Sequence, residues 1–196
     1  DLVRSRGLGD VYKRQDMTDK LIVPIKFLMS HDIEKTQENH KRSAETIMEY
    51  LRQGHDVAML NIGDISIYST CSYILNIIEK NGFETEVCAG VPSFCAAAAR
   101  LKKPLVSRKE VLVVAPGYTD ELESLMSVNG TKVIMKSGKH MNRVKKLVEK
   151  YGMSDNTIIV ESCGLENERI HYGIDETENG YFSLMIIKTS EENDNA

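Results

Sequence analysis

The chain has 196 residues, 41% hydrophobic and 28% charged, enough for a sizeable core in one large domain or two small α/β units. Its 25 basic and 29 acidic side chains give a formal net charge of −4, so the global balance lends nothing to a nucleic-acid partner. No run approaches the roughly 18 apolar residues of a membrane span and no signal-peptide plan opens the sequence, so a cytoplasmic protein without membrane attachment is expected.

Residues 1–16 show neither strand alternation nor a helical stripe ahead of the first methionine, Met17, and are expected to be a non-native leader outside the fold. Leu21–Met29 then reads as a strand, with Pro24 favouring an edge position because it has no N–H to donate. Ile33, Thr36, His40, Ala44, Ile47, Met48 and Leu51 recur at helical spacing, and Gly54 supplies the stop. A strand over Asp56–Ile62, a helix over Ser72–Lys80 closed by Asn81-Gly82, and a short strand over Thr85–Ala89 follow. The next helix starts at Ser93, where SFCAAAARL presents small residues suited to close packing, and the 89–92 turn delivers Ser93 as its N-cap.

The second half repeats the alternation. It predicts strands over Glu110–Pro116, Thr131–Met135, Asn156–Ser162 and Tyr181–Lys188, with helices near Asp120–Val128 and Lys139–Tyr151. Strands and helices in alternation with short connections imply an α/β fold with a largely parallel sheet in each half. The expected division is a leader over 1–16, an N-terminal domain over 17–104, a C-terminal domain over 105–190 and an acidic tail over 191–196, with the break near Lys102–Lys109.

Cys71, Cys88, Cys95 and Cys163 form no C-x-x-C pair and read as packed thiols, Cys71 being placed near a helix start where a pKa can fall. The five histidines have no metal-ligand spacing, so no protein-bound metal is expected; His140 alone sits beside a candidate loop. Chemistry is expected at three strand-to-helix loops, Gly63–Thr70, Gly90–Phe94 and Lys136–Met141, because open α/β sheets bind ligands beyond the carboxyl ends of their strands. Each loop has two readings. Gly63 permits close approach of a ligand or simply makes a turn, and Asp64 offers a ligand-binding carboxylate or an Asx turn. Tyr68, Ser69 and Thr70 cap the next helix or hydrogen-bond a substrate.

GDISIYST over Gly63–Thr70, followed by EVCAGVPSFCAAAARLKKPL over Glu86–Leu105, resembles the tetrapyrrole methylase family, the class III S-adenosylmethionine-dependent methyltransferases. VIMKSGK (Val133–Lys139), IVESCGLENERI (Ile159–Ile170) and YFSLMIIK (Tyr181–Lys188) extend the likeness toward the branch that methylates C(20) of precorrin-2 or cobalt-factor II in corrin-ring synthesis. The resemblance implies two αβα domains with the active site in an interdomain cleft, and a homodimer. It implies S-adenosylmethionine held by Ile62, Gly63, Asp64, Ile67, Pro92, Ser93, Lys136 and Gly164, with Tyr68 orienting the tetrapyrrole substrate or packing into the core. Cationic partners for the substrate carboxylates would come from Arg100, Lys102, Lys103, Arg108, Lys136 and Lys139.

Ile65 and Ala89 stand where the family usually has proline, and Lys102-Lys103 replaces a Leu-Gly or Gly-Ile pair. The family's opening strand with its G-x-G-x-G-D loop has no counterpart, since Gly7-Leu8-Gly9-Asp10 follows no strand, and the first domain is therefore expected to be incomplete. The alternatives that remain at this level are an inactive fragment or donor-binding module of the same fold, a methylase for another ring position, and the diphthamide-pathway methylase.

Overall fold

A computed structural model describes residues 19–28, 32–174 and 183–188. The expected leader, the acidic tail, the Gly7–Asp10 stretch and the outer parts of the first and last expected strands (Met29, Tyr181 and Phe182) lie outside the described residues. The chain divides into two compact units, Asp1–Pro92 and Ser93–Ala196. This boundary falls before the SFCAAAARL helix, and Lys102–Lys109 lies within the second unit.

The first unit is built on a helix pair, α1 (Ile33–Arg52) and α2 (Cys71–Lys80). Asp32 caps α1 by accepting the Lys35 N–H at 3.1 Å, and Gly54 ends it by donating to the Leu51 carbonyl at 3.0 Å. The 3.6-residue period puts Ala44, Ile47 and Met48 on one face of α1, against Ile74 and Ile78 of α2. Ile25, Phe27, Met59 and Phe83 close that core from the connecting segments.

Three stretches expected as strands, 21–28, 56–62 and 85–89, belong to no ladder among the described residues. They carry apolar residues in strand-like runs, but a strand exists only where a neighbour takes up its backbone N–H and C=O groups. The described residues of this unit therefore contribute helices and linking segments, and the sheet belongs to the second unit.

The second unit opens with α3 (Ser93–Leu101), which contacts the sheet at its last strand. The sheet then forms from β1 (Leu112–Pro116), β2 (Thr131–Met135), β3 (Thr157–Glu161), β4 (Arg169–Tyr172) and β5 (Ser183–Ile187), in the order β1-β2-β5-β3-β4. Helices α4 (Leu122–Met126) and α5 (Met141–Lys150) make the crossovers after β1 and β2. β1 and β2 are parallel, while β5 runs antiparallel to both β2 and β3, so β1, β2 and β3 all point the same way.

This sheet is mixed rather than largely parallel, since the last strand inserts between β2 and β3 and β4 returns along the far edge. β3 and β5 are buried along their whole length, as expected of central strands written as continuous apolar runs. Leu122 and Met126 of α4 and Met141, Val144 and Val148 of α5 pack with Ala115, Ile134, Ile159, Met185 and Ile187 into one core. At about 1.5–3 kcal/mol for each fully buried aliphatic side chain, this cluster is the largest favourable term in the unit.

Candidate active site

In the first unit, the Gly63–Thr70 loop is organised by Asp64. Its Oδ1 accepts the Ser66 N–H at 2.8 Å and also the Ser66 hydroxyl, and its Oδ2 accepts the Gly90 N–H at 2.8 Å. The Ser66 hydroxyl, then the Ser66 and Gly90 amides, hold the carboxyl below the usual carboxylate range. The two motif stretches are thus in direct backbone contact. A Cβ at Gly90 would sit 2.1 Å from the Gly63 carbonyl oxygen, so only glycine fits there.

Gly63 has φ +84°, and a Cβ there would be in ordinary van der Waals contact with the Val91 carbonyl oxygen at 3.9 Å. Gly63 supplies the turn, and its carbonyl is the group against which Gly90 packs. Ile62 is 41% exposed, while Ile67 and Pro92 are half-buried.

Tyr68 is 40% exposed at φ +50°, which sets aside its reading as a packed core side chain and puts a bulky residue in the left-handed region. Helix α2 is capped by Ser69, whose hydroxyl accepts the Cys71 N–H at 3.2 Å; Thr70 makes no side-chain cap. Burial pushes the Cys71 thiol up, against the lowering that a helix start alone would give.

In the second unit, the parallel direction of β1, β2 and β3 brings Gly117–Glu121, Lys136–His140 and Ser162–Glu168 to one edge of the sheet, as the carboxyl-end rule requires. Ser93 stands as the first residue of α3 itself. Lys136 is exposed at φ +51°, and partial desolvation moves its ammonium pKa downward.

Beside Lys136, Ser137 is fully buried and its hydroxyl has no hydrogen-bond partner among the described residues. Gly117 donates to the Met135 carbonyl at 2.7 Å, and a Cβ on Gly117 would lie 2.8 Å from the Ser137 hydroxyl. The β1 and β2 loops are therefore locked at backbone distance. His140 stacks at a tilt on Tyr118, ring centres 6.3 Å apart, in the same region.

Gly164, at φ +78°, donates its N–H to Glu168 Oε2 at 2.8 Å, and Arg100 pairs with Glu168 Oε1 at 2.5 Å. The Gly164 amide and then the Arg100 guanidinium hold Glu168 below the usual carboxylate range. Arg100, counted among the cations available to a substrate, is thereby committed to the chain's own loop.

Glu161 at the end of β3 is 3% exposed and pairs with Arg169 at 2.9 Å, while Ser183 donates to it at 3.3 Å. Ser137 and Glu161 lie in stretches that carry the family likeness, but neither they nor Gly117 stood out individually, because each gains meaning only from a neighbour on another strand or loop. Their shared signal was position at the carboxyl end of an expected strand.

No group of three or more His, Cys, Asp or Glu suited to a metal ion occurs among the described residues. Nor is any described helix long and apolar enough to cross a membrane.

A mixed five-stranded sheet with the loops after β1, β2 and β3 gathered at one edge defines an α/β protein. Comparison gives that class a family. The family model described as Tetrapyrrole (Corrin/Porphyrin) Methylases matches residues 4–174, a span that opens inside the expected leader.

A protein of Methanocaldococcus jannaschii named "Probable cobalt-precorrin-2 C(20)-methyltransferase" is 33% identical over 176 residues, covering 86% of this chain and 73% of that protein. A precorrin-4 C(11)-methyltransferase of Sinorhizobium sp is 30% identical over 139 residues, covering 64% of this chain and 55% of that protein. The crystal structure of a uroporphyrin-III C-methyl transferase from Thermus thermophilus, complexed with S-adenyl homocysteine, superposes with a TM-score of 0.62 at 20% identity. That superposition covers 76% of this chain and 72% of the other. The chain belongs to the tetrapyrrole methylase family.

Proposed function

We propose that the protein is an S-adenosylmethionine-dependent methyltransferase acting on C(20) of precorrin-2 or of its cobalt form. The observation that carries this reading is the contact between the two motif loops, which Asp64 and Gly90 join across 26 residues of sequence into one backbone surface. The M. jannaschii relative, by its name, supports the C(20) position, while the C(11) relative keeps a second ring position in view.

The residues fit such a donor. Gly63 has no neighbour closer than 3.9 Å on the side where a Cβ would stand, and Ser137 offers a buried hydroxyl without a partner among the described residues. Ile62, Gly63, Asp64, Ile67, Pro92, Ser93, Lys136 and Gly164 are the candidate donor contacts. When bound, S-adenosylmethionine supplies an electrophilic methyl group on its sulfonium, for an electron-rich ring carbon to take up.

The chain's own contribution is alignment and exclusion of water rather than a nucleophilic side chain. Exposed Tyr68 orients the macrocycle. Lys139 would meet its carboxylates, while Arg100 is paired with Glu168.

The test is incubation of the purified chain with precorrin-2 or cobalt-factor II and a donor carrying a carbon-13 methyl group. The reading expects one labelled methyl at C(20) by NMR of the product. No label on these substrates, with label at C(11) in a parallel incubation with precorrin-4, would move the assignment to that ring position.

A further inference from the structure

Resting on the donor-site reading above, we infer that Asp64 is a positioning residue: its carboxylate ties the Gly90 loop to the Gly63 loop and so shapes the donor surface, without itself meeting a charge on the donor. Both of its oxygens accept hydrogen bonds from the chain. Oδ1 takes the Ser66 N–H and hydroxyl, and Oδ2 takes the Gly90 N–H at 2.8 Å.

A carboxylate accepting several donors is held ionised and in one rotamer, and this one makes a contact spanning 26 residues. The bond also acts where nothing else can fill in. Gly90 lies so close that a Cβ would be 2.1 Å from the Gly63 oxygen, 2.9 Å from the Gly63 carbonyl carbon and 3.2 Å from the Asp64 Cα. Loss of the tie lets the loops part, and a side chain at Gly90 forces them apart. Both changes alter the same surface by opposite routes.

The chemistry of the side chain separates this role from direct charge recognition. Asparagine keeps one oxygen able to accept the Gly90 N–H, while losing the charge and turning an NH2 toward the Ser66 side, whereas alanine loses every acceptor. A direct contact with a cationic donor group would make the two substitutions equally damaging; a loop tie makes them differ.

The experiment measures binding of S-adenosylhomocysteine by calorimetry, together with hydrogen exchange of the Gly90 amide, in the whole chain and in Asp64→Ala, Asp64→Asn, Gly90→Ala and the Asp64→Ala/Gly90→Ala double variant. Expected are a loss of about tenfold or more in affinity for Asp64→Ala and for Gly90→Ala, and a loss within about threefold for Asp64→Asn. The double variant should be no worse than the weaker single, because both remove one tie. Gly90 amide exchange should accelerate at least about tenfold in Asp64→Ala and stay near wild type in Asp64→Asn, with exchange in α2 unchanged.

Equal losses for Asp64→Ala and Asp64→Asn with Gly90→Ala unaffected would overturn the inference in favour of direct charge recognition. Unchanged Gly90 exchange in Asp64→Ala would overturn the tie itself. Failure of the wild-type chain to bind S-adenosylhomocysteine would instead overturn the donor reading on which the inference stands, while Gly90 exchange still reports the tie separately.

Discussion

Gly117 and Ser137 join the loops after β1 and β2 at close range, and the two residues should respond oppositely to substitution. Gly117→Ala puts a Cβ 2.8 Å from the Ser137 hydroxyl and 2.9 Å from its Cα, so part of the clash is with backbone and cannot be relieved by a rotamer change. A cost of about 1–3 kcal/mol is expected in urea unfolding. Ser137→Ala removes a buried hydroxyl that no described residue satisfies and should be neutral or stabilising in the same measurement. Were Ser137→Ala strongly destabilising, the hydroxyl would have a partner that this account lacks.

Glu168 makes a pH-dependent case at the same scale. Its folded pKa is held below the ordinary value by the Gly164 amide and Arg100, so its contribution is complete above the unfolded carboxylate pKa, near 4.5, and is lost as pH falls through the lower folded value. Glu168→Gln should flatten the acid limb of the stability curve in that window, as followed by urea midpoints from neutral pH downward. An acid limb identical to wild type would mean that the Arg100–Glu168–Gly164 arrangement adds nothing to folding.

Among the elements, β2 carries an unusual burden. Lys132 lies at 0% exposure between Val113 of β1 and Ile187 of β5, and its ammonium has no hydrogen-bond partner among the described residues. Burial moves its pKa downward. A lysine that binds fewer protons folded than unfolded makes stability rise with pH, from its lowered folded value up to the unfolded value near 10.5. Lys132→Met, close in volume and without the charge, should raise stability by about 1 kcal/mol or more at neutral pH and flatten that alkaline rise. Thermal melts across the alkaline range of both proteins check the sign.

The elements that were legible from sequence are those whose apolar pattern is sufficient in itself. α1 fills the full helical stripe, and TKVIM gives β2 with the boundaries expected. β4 was missed because RIHY is short, carries Arg169 and His171, and lies at a sheet edge with Arg169 and Tyr172 exposed. The mixed direction of the sheet was hidden for a different reason: insertion of β5 between β2 and β3 depends on pairing across the whole unit, which no local pattern records. For the site, the loops could be located in sequence, but not their internal wiring. Asp64 and Gly90 were each visible as turn residues, and only folding shows that they bond to each other.

At the level of the whole molecule, each unit carries its own core, and truncation in either should act where it is made. Ile74→Ala in the helix pair and Ile159→Ala in the sheet each remove a side chain at 0% exposure. Each is expected to cost about 2–5 kcal/mol in the unit concerned, read by residue-resolved hydrogen exchange. A loss confined to the other unit would contradict the division into two cores.

The central claim is that the joined loops of the first unit form a methyl-donor surface, which makes a specific set of amides the most direct witnesses. Titration of the isotope-labelled chain with S-adenosylhomocysteine, followed by amide chemical shifts and exchange, should perturb and protect the amides of residues 62–67, 90, 91 and 93. Absence of binding, or perturbation that leaves these two stretches untouched, would contradict it.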